Sequence, residues 1–538
     1  MLFPTLDYLF FLPLVVGLYW TVPRKFRGMV IVIASLLFYG SWSLAYLPLL
    51  VGIAVMSWGL GCWIEDRQKS GKEISQMAFT GAIFSLFIPL ILFKYWDWLG
   101  WNINALVEYA GAETTVPKLD WVLPVGISFF TFQAVAYVVD VKRKGKAERK
   151  FGRFFAFIAF FPQLVAGPIV RRNELLPQLK YPPYLASGMI SEGIYRIMKG
   201  MGKKLLIADV MRSAIVDPTF ADPEMYLGIE LWVALYAYTL QIYYDFSAYT
   251  DIAIGIALLM GFKLPKNFNS PYKADNCGNF WKRWHISLSS WLKDYLYIPM
   301  GGNRGGSLFS SIALGFIILF VFLISGSFSL LFAIISFVFL TRVIGELIPK
   351  FNGWYLTNIN IMLTMLLGGL WHGASWNFVL WGALNGIGIV VYKLWRKISP
   401  WEDKTKWWNR IWGIILTFNF VSFTRIWFRS GSINSWEEID KGHNILSEWF
   451  TANEMLNQLL FDFRWSFLGD VVSVYYNVIL VIILGFMIHF VPEKWKIWYR
   501  QKFANSHVSI QLLVCFVAVF IMYQIAATSL QPFIYFQF

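Results

Sequence analysis

Long apolar runs recur along the chain, separated by short segments where charge, Gly and Pro gather. They fall near residues 5–22, 28–45, 47–64, 77–94, 122–140, 226–244, 246–262, 307–325, 327–346, 358–371, 374–395, 408–428, 470–491 and 508–528. A helix needs about 20 mostly apolar residues to cross the roughly 30 Å of bilayer hydrocarbon. The pattern therefore predicts an all-α polytopic membrane protein with roughly 11 transmembrane helices plus re-entrant and interfacial helices. The stretch 358–371 is short for a full span and reads as re-entrant or paired with a neighbour. The stretches 153–165 and 193–215 are too short or too polar to assign.

Charge between the first runs sets an orientation. The loop holding Arg24, Lys25 and Arg27, the one holding Arg67, Lys69 and Lys72, and the stretch from Lys142 to Lys150 are basic. The loop with Asp97, Glu108, Glu113 and Asp120 against Lys94 and Lys118 is acidic. Alternation puts the three basic loops in the cytosol and the N-terminus outside. The first charge is Asp7 and no basic region precedes the first run, so 5–22 is expected as a retained first span.

Composition agrees with lipid as the solvent. The 538 residues are 57% hydrophobic, 19% aromatic and only 14% charged, against about 25% charge in soluble domains. No polar linker divides the chain, so 1–538 reads as one membrane domain. It comprises N-terminal spans (1–140), a core (141–396), and C-terminal spans (397–538) with an extramembrane loop near 430–468 carrying one or two surface helices. The formal charge of +14 is scattered in short clusters, as at loops facing anionic lipid. With no arginine-rich tract or zinc-finger spacing, nucleic-acid binding is not expected. Cys62, Cys277 and Cys515 are spaced for neither disulfides nor metal.

The stretch 264–306 interrupts the apolar pattern. A helix from Asn279 would carry Trp281, Trp284, Leu288, Trp291 and Tyr295 as one aromatic stripe, with His285, Ser289 and Lys293 on an adjacent polar face. An aromatic belt at the headgroups accounts for the tryptophans. It does not account for His285, Asp294 and the Gly301-Gly-Asn303-Arg304 loop lying so close together.

The chain has five histidines, His285, His372, His443, His489 and His507. Ionisable groups at membrane depth are costly and functional by default, which ranks His372 first. It sits in LLGGLWHGASWN (366–377) between long apolar runs, among Gly368, Gly369 and Gly373, which permit close backbone approach. His285 suits an interface equally well, His489 a helix end before Pro492, and His443 and His507 solvated segments. No metal is expected, because neither leading histidine has a partner at i+4, and the Gly-x-Ser-x-Gly elbow is missing its leading glycine. General base chemistry remains: imidazole can take the proton of an alcohol attacking a thioester or ester carbonyl.

The segment FWKRWHISLSSWLKDYLYIPMGGNR (280–304) resembles the hallmark segment of the bacterial branch of the membrane-bound O-acyltransferase family. TMLLGGLWHGASW (364–376) is similar to its second hallmark, FPQLVAGPI (161–169) with Arg171 to a third, YDFSAYTD (244–251) to a fourth, and PFIYFQF (532–538) to the family's C-terminus. The resemblance implies a helical ring around a central funnel, with His372 as the essential base and His285 as the second required residue. It implies a cytosolic acyl thioester such as acetyl-coenzyme A as donor, with no permanently bound cofactor. An extracytoplasmic polysaccharide, alginate-like favoured, would be the ultimate acceptor, reached through an extracytoplasmic acetyltransferase partner from the bacterial inner membrane. D-alanyl transfer to teichoic acid and peptidoglycan O-acetylation are the rivals within the class, and a proton-coupled transporter the rival outside it. Lys282, Arg283, Lys293 and Arg304 are candidates for the donor's anionic groups, although headgroup snorkelling suits them equally. Asp294, Asn303, Trp371 and Asn377 complete the candidate substrate contacts, and Asp245, Asp251 and Asp294 are candidates to orient an imidazole.

Overall fold

The computed structural model describes residues 6–109, 111, 115–186, 188–307, 310–315, 317–318, 328–400, 406–433 and 449–525. Among these residues all regular structure is helical. Four helical stretches are each long and apolar enough to cross a membrane: Leu44–Lys69, Gln76–Ala105, Trp376–Ile398 and Trp407–Ser432. Two further pairs, bent by 84° and 117°, pass only when taken together, which gives up to six spans among the described residues. Large apolar side chains such as Phe332, Phe339, Leu512 and Phe516 point outward. In water they would be a liability; against acyl chains they are favourable. The protein is polytopic and membrane-embedded.

The N-terminal runs fold as helices Leu6–Thr21, Arg27–Gly40 and Leu47–Lys69, close to their expected limits. The expected acidic loop after residue 94 begins later. A π-turn at Ile91–Tyr95 joins helix Gln76–Leu90 to helix Trp96–Tyr109, so Lys94 and Asp97 lie within continuous helix. Basic loop residues are partly neutralised by acids beside them: Arg149 binds Glu65 at 2.6 Å and Asp66 at 2.5 Å.

Two expected boundaries move. The runs 226–244 and 246–262 form one helix, Gly228–Leu259, of 32 residues. At about 1.5 Å per residue it exceeds the bilayer core, and nearly all of it is buried in protein. Asp245 does not break it because Lys204 meets its carboxylate at 2.6 Å, both side chains being almost fully buried. The short run 358–371 is the end of a 24-residue helix, Pro349–His372, hereafter the histidine helix. Its polar first half holds because Asn360 Nδ2 donates to the carbonyls of Gly302 (3.1 Å) and Gly305 (2.9 Å).

The loop near 430–468 is only partly described. Glu437, Glu438, Asp440 and His443 lie outside the described residues, as do most of the run 307–325 and the motif 532–538. Helix Phe450–Phe461 is not a free surface helix, since Ala452, Met455 and Leu459 are buried within the core that includes the long helix.

The histidine helix crosses helix Trp376–Ile398 at backbone contact. A Cβ on Gly369 would overlap the Phe378 carbonyl and crowd Gly382 at 3.1 Å, and one on Gly382 would overlap the Met365 carbonyl. Glycine pairs of this kind bring membrane helices together without a side chain between them. Replacing Gly369 with Ala should therefore lower stability by about 1–3 kcal/mol through overpacking, seen as a reduced unfolding midpoint in detergent. Gly59→Ala, with open space around it, should leave the midpoint unchanged. Equal midpoints for the two variants would contradict the close crossing.

Candidate functional site

The segment bearing His285 is not the continuous helix expected from Asn279. Helix Cys277–Trp281, capped by Asn276, stops, and helix Ile286–Leu292 starts afresh. Between them His285 takes φ 43°, a left-handed conformation that is uncommon outside glycine. The break is stitched to the preceding strap: Asn269 N–H donates to Arg283 O and Ile286 N–H to Asn267 O, each at 2.9 Å. The aromatic stripe expected from helical spacing is thus split, with Trp281 ending the first helix, Trp284 buried in the break and Trp291 buried on the second helix.

Asn267 fixes the imidazole. Its Oδ1 accepts from the Ser287 N–H (3.1 Å) and hydroxyl (2.9 Å) and lies 3.2 Å from His285 Nδ1. An oxygen already accepting a backbone N–H requires Nδ1 to carry the proton, leaving Nε2 as the basic nitrogen. Ser287 Oγ in turn accepts the Ile169 N–H at 3.0 Å, which ties in the FPQLVAGPI segment. The candidate carboxylates for orienting an imidazole are engaged elsewhere: Asp245 with Lys204, Asp251 with Lys199 and Lys203, and Asp294 with Arg171. The orienting group is an amide eighteen positions before the histidine, for which the sequence offers no periodic signal.

His372 is the last residue of the histidine helix and is buried, as His285 is. Trp371 lies between the two rings, 5.9 Å from His285 and 5.0 Å from His372 by ring centroids. Phe129 and Phe132 back that indole at 5.5 Å each. On its other side His372 meets the edges of Trp381 and Phe428 at 5.1 Å each. Asn377, fully buried, follows the turn in which Ser375 caps the next helix.

The terminal carbonyls of the histidine helix have no helical partner. Lys94 Nζ donates to Trp371 O (2.7 Å) and His372 O (2.9 Å), and the Tyr95 hydroxyl to Leu370 O (2.9 Å). A cation at a helix C-terminus also opposes the negative end of its dipole. The π-turn presents two consecutive side chains to one target. Lys94, read from the sequence as a loop residue, is a missed member of the site.

A cavity of about 520 Å³ lies between helix Met189–Gly202, the long helix, and helices Tyr476–Phe490 and Glu493–Ala504. Arg196, Lys199, Lys203, Lys266, Lys496 and Arg500 line it against Asp251 and Glu493. Its wall includes Asn267, the residue that holds His285. The cations expected to bind donor lie apart from it. Lys282, Lys293 and Arg304 are exposed, and Arg283 is half-buried and donates to Asn279 Oδ1 (3.1 Å) and Asn269 O (3.2 Å). Asn303, also exposed, accepts from the Tyr297 hydroxyl at 2.7 Å. Among the described residues no group of His, Cys, Asp and Glu could hold a metal ion. His489 lies in the last turn of helix Tyr476–Phe490, as expected before Pro492, and is buried, accepting the Tyr272 N–H at 3.2 Å, while His507 is exposed.

Residues 35–353 match the model of the membrane-bound O-acyltransferase family. His285 lies inside that stretch and His372 beyond its end. The probable alginate O-acetylase AlgI of Azotobacter vinelandii is 35% identical over 74% of this chain and 69% of its own length. The peptidoglycan O-acetyltransferase of Helicobacter pylori is 31% identical over 94% of this chain and 91% of its own. The teichoic acid D-alanyltransferase of Bacillus subtilis is 27% identical over 67% and 79% respectively.

If Lys94 and Tyr95 hold the end of the histidine helix, Lys94→Met should fray that end. Hydrogen exchange should speed up in peptides covering 366–376 and stay unchanged in the long helix. Unaltered exchange in 366–376 would show that the clamp is dispensable.

Proposed function

Because this chain belongs to the membrane-bound O-acyltransferase family and is an acyltransferase, we propose that it moves an acetyl group from cytosolic acetyl-coenzyme A across the bacterial inner membrane, for O-acetylation of an extracytoplasmic polysaccharide. An alginate-like polymer is the favoured acceptor. The observation that carries this reading is the meeting of His285 and His372 on either side of Trp371, with the anchor of His285 forming part of a basic cavity.

The donor's phosphates suit the cavity, where cations outnumber carboxylates. Its acetyl thioester extends past Asn267 toward the histidines. His372 takes the proton of the acceptor hydroxyl as that oxygen attacks the thioester carbonyl. The C–O bond forms, the C–S bond breaks, and His372 returns the proton to the leaving thiolate. His285, held by Asn267 on the other side of Trp371, orients the reacting groups.

Roughly eleven spans arranged around a central funnel would give donor and acceptor opposite entrances, with the N-terminus outside. An extracytoplasmic acetyltransferase partner would carry the group to the polymer. Peptidoglycan O-acetylation is the second reading, favoured by the near full-length similarity to the Helicobacter pylori protein.

Membranes containing His372→Ala should lose about 10²–10⁴-fold in transfer of labelled acetyl from acetyl-coenzyme A into membrane-associated product, with the unfolding midpoint retained. Full transfer by this variant would rule out the base assignment. Wild-type protein that consumes no acyl thioester yet moves solute into liposomes would instead be a transporter.

A further inference from the structure

Three of the five buried cations among the described residues are neutralised where they sit: Lys204 meets Asp209 and Asp245, and Arg212 and Arg429 share Asp217. Arg27 and Arg425 are not, and of these Arg425 is the one beside the histidines. It stands on helix Trp407–Ile433, is 1% exposed, and makes no ion pair among the described residues. Its Nε and Nη2 meet no hydrogen-bond acceptor among those residues, although the Tyr272 hydroxyl lies against the guanidinium.

Its surroundings are aromatic. The guanidinium carbon is 4.5 Å from the ring centre of Trp284, 5.3 Å from Phe428 and 5.8 Å from Trp381. Trp284 immediately precedes His285, and Trp381 and Phe428 are the rings that meet His372. Arg425 therefore occupies the wall shared by the two histidine segments. Aromatic faces recover only part of the cost of removing a guanidinium from water. An ionised residue kept at such a site calls for an anion.

The donor's phosphates are not that anion. They have the basic cavity, and Arg425 is not among the residues that line it. The other negative charge in the proposed reaction appears on the acetyl carbonyl oxygen.

We propose that Arg425 is the oxyanion-stabilising residue, donating from Nε and Nη2 to the thioester carbonyl oxygen as charge develops on it. The assignment rests on the acetyl-transfer reading. As the acceptor oxygen bonds to the carbonyl carbon, the carbonyl π pair moves onto oxygen and is held by Arg425, while the hydroxyl proton passes to His372. The pair then returns, the C–S bond breaks, and the thiolate takes the proton from His372. A planar fork of donors suits this task better than a point charge.

The test uses full-length protein in membrane vesicles of its own bacterium, which hold the extracytoplasmic partner, with acetyl-coenzyme A as donor and coenzyme A release as readout. The acceptors are a mannuronate oligosaccharide and, separately, a neutral cello-oligosaccharide. Arg425→Gln should lower kcat about 10²–10³-fold with either acceptor, while donor and acceptor KM change less than about threefold and the unfolding midpoint holds. Arg425→Lys should recover roughly tenfold of the loss, having the charge without the fork. Unchanged kcat in Arg425→Gln overturns the assignment. So does a rise in KM confined to mannuronate, which would make Arg425 a carboxylate anchor. Failure of both variants to fold, or equal loss in both, makes the residue structural and equally overturns it. Wild-type protein that releases no coenzyme A with either acceptor defeats the acetyl-transfer reading itself, a result separable from failure at Arg425.

Discussion

Backbone carbonyls at the end of a buried helix must find donors inside the protein when water is scarce, and the histidine helix meets this demand with Lys94 and Tyr95. The position of His372 follows from that clamp and from the glycine crossing at Gly369 and Gly382. Trp371, fixed by the same helix end, then fills the space between the two imidazoles. A π-turn in an N-terminal span and a glycine pair nearly three hundred residues later thus act on one side chain.

His285 is placed by a different device. Its left-handed backbone is held by the strap around Asn267, whose amide oxygen also sets the ring tautomer. That strap forms one wall of the basic cavity, so a ligand seated there would touch the element that orients His285. The cavity's charge is organised around Asp251, which meets Lys199, Lys203 and Arg196 at once. With Glu192 also meeting Arg196 at 3.0 Å, two carboxylates keep the three cations close together while leaving the site net positive, the condition an anionic donor needs.

The apolar runs made the membrane helices legible, because a hydrophobic stretch of bilayer length has few other uses. His372 stands out as an ionisable group between apolar runs, whereas His285 is marked only by the resemblance of its segment to the family's hallmark. The supports of both histidines are not marked. The stripe through Trp281, Trp284 and Trp291 satisfies helical spacing whether or not the helix breaks at His285. Asn267 lies in a Pro- and Asn-rich strap where one amide looks like another. Lys94 sits at the end of an apolar run, where a lysine ordinarily marks the bilayer edge. Arg425 lies within the apolar run 408–428, where no motif marks it. The expected donor cations were placed by proximity in sequence to His285, whereas the cationic cavity is assembled from helices far apart along the chain.

The most direct measurement is an electron cryomicroscopy structure of the full chain in nanodiscs with the non-transferable acetonyl thioether analogue of coenzyme A. The account predicts phosphate density against Lys199, Lys203 and Lys496, and the analogue's carbonyl within hydrogen-bond reach of Arg425 beside His372. A nucleotide bound away from this cavity, or a carbonyl on the far side of Trp371 from His372, would contradict it.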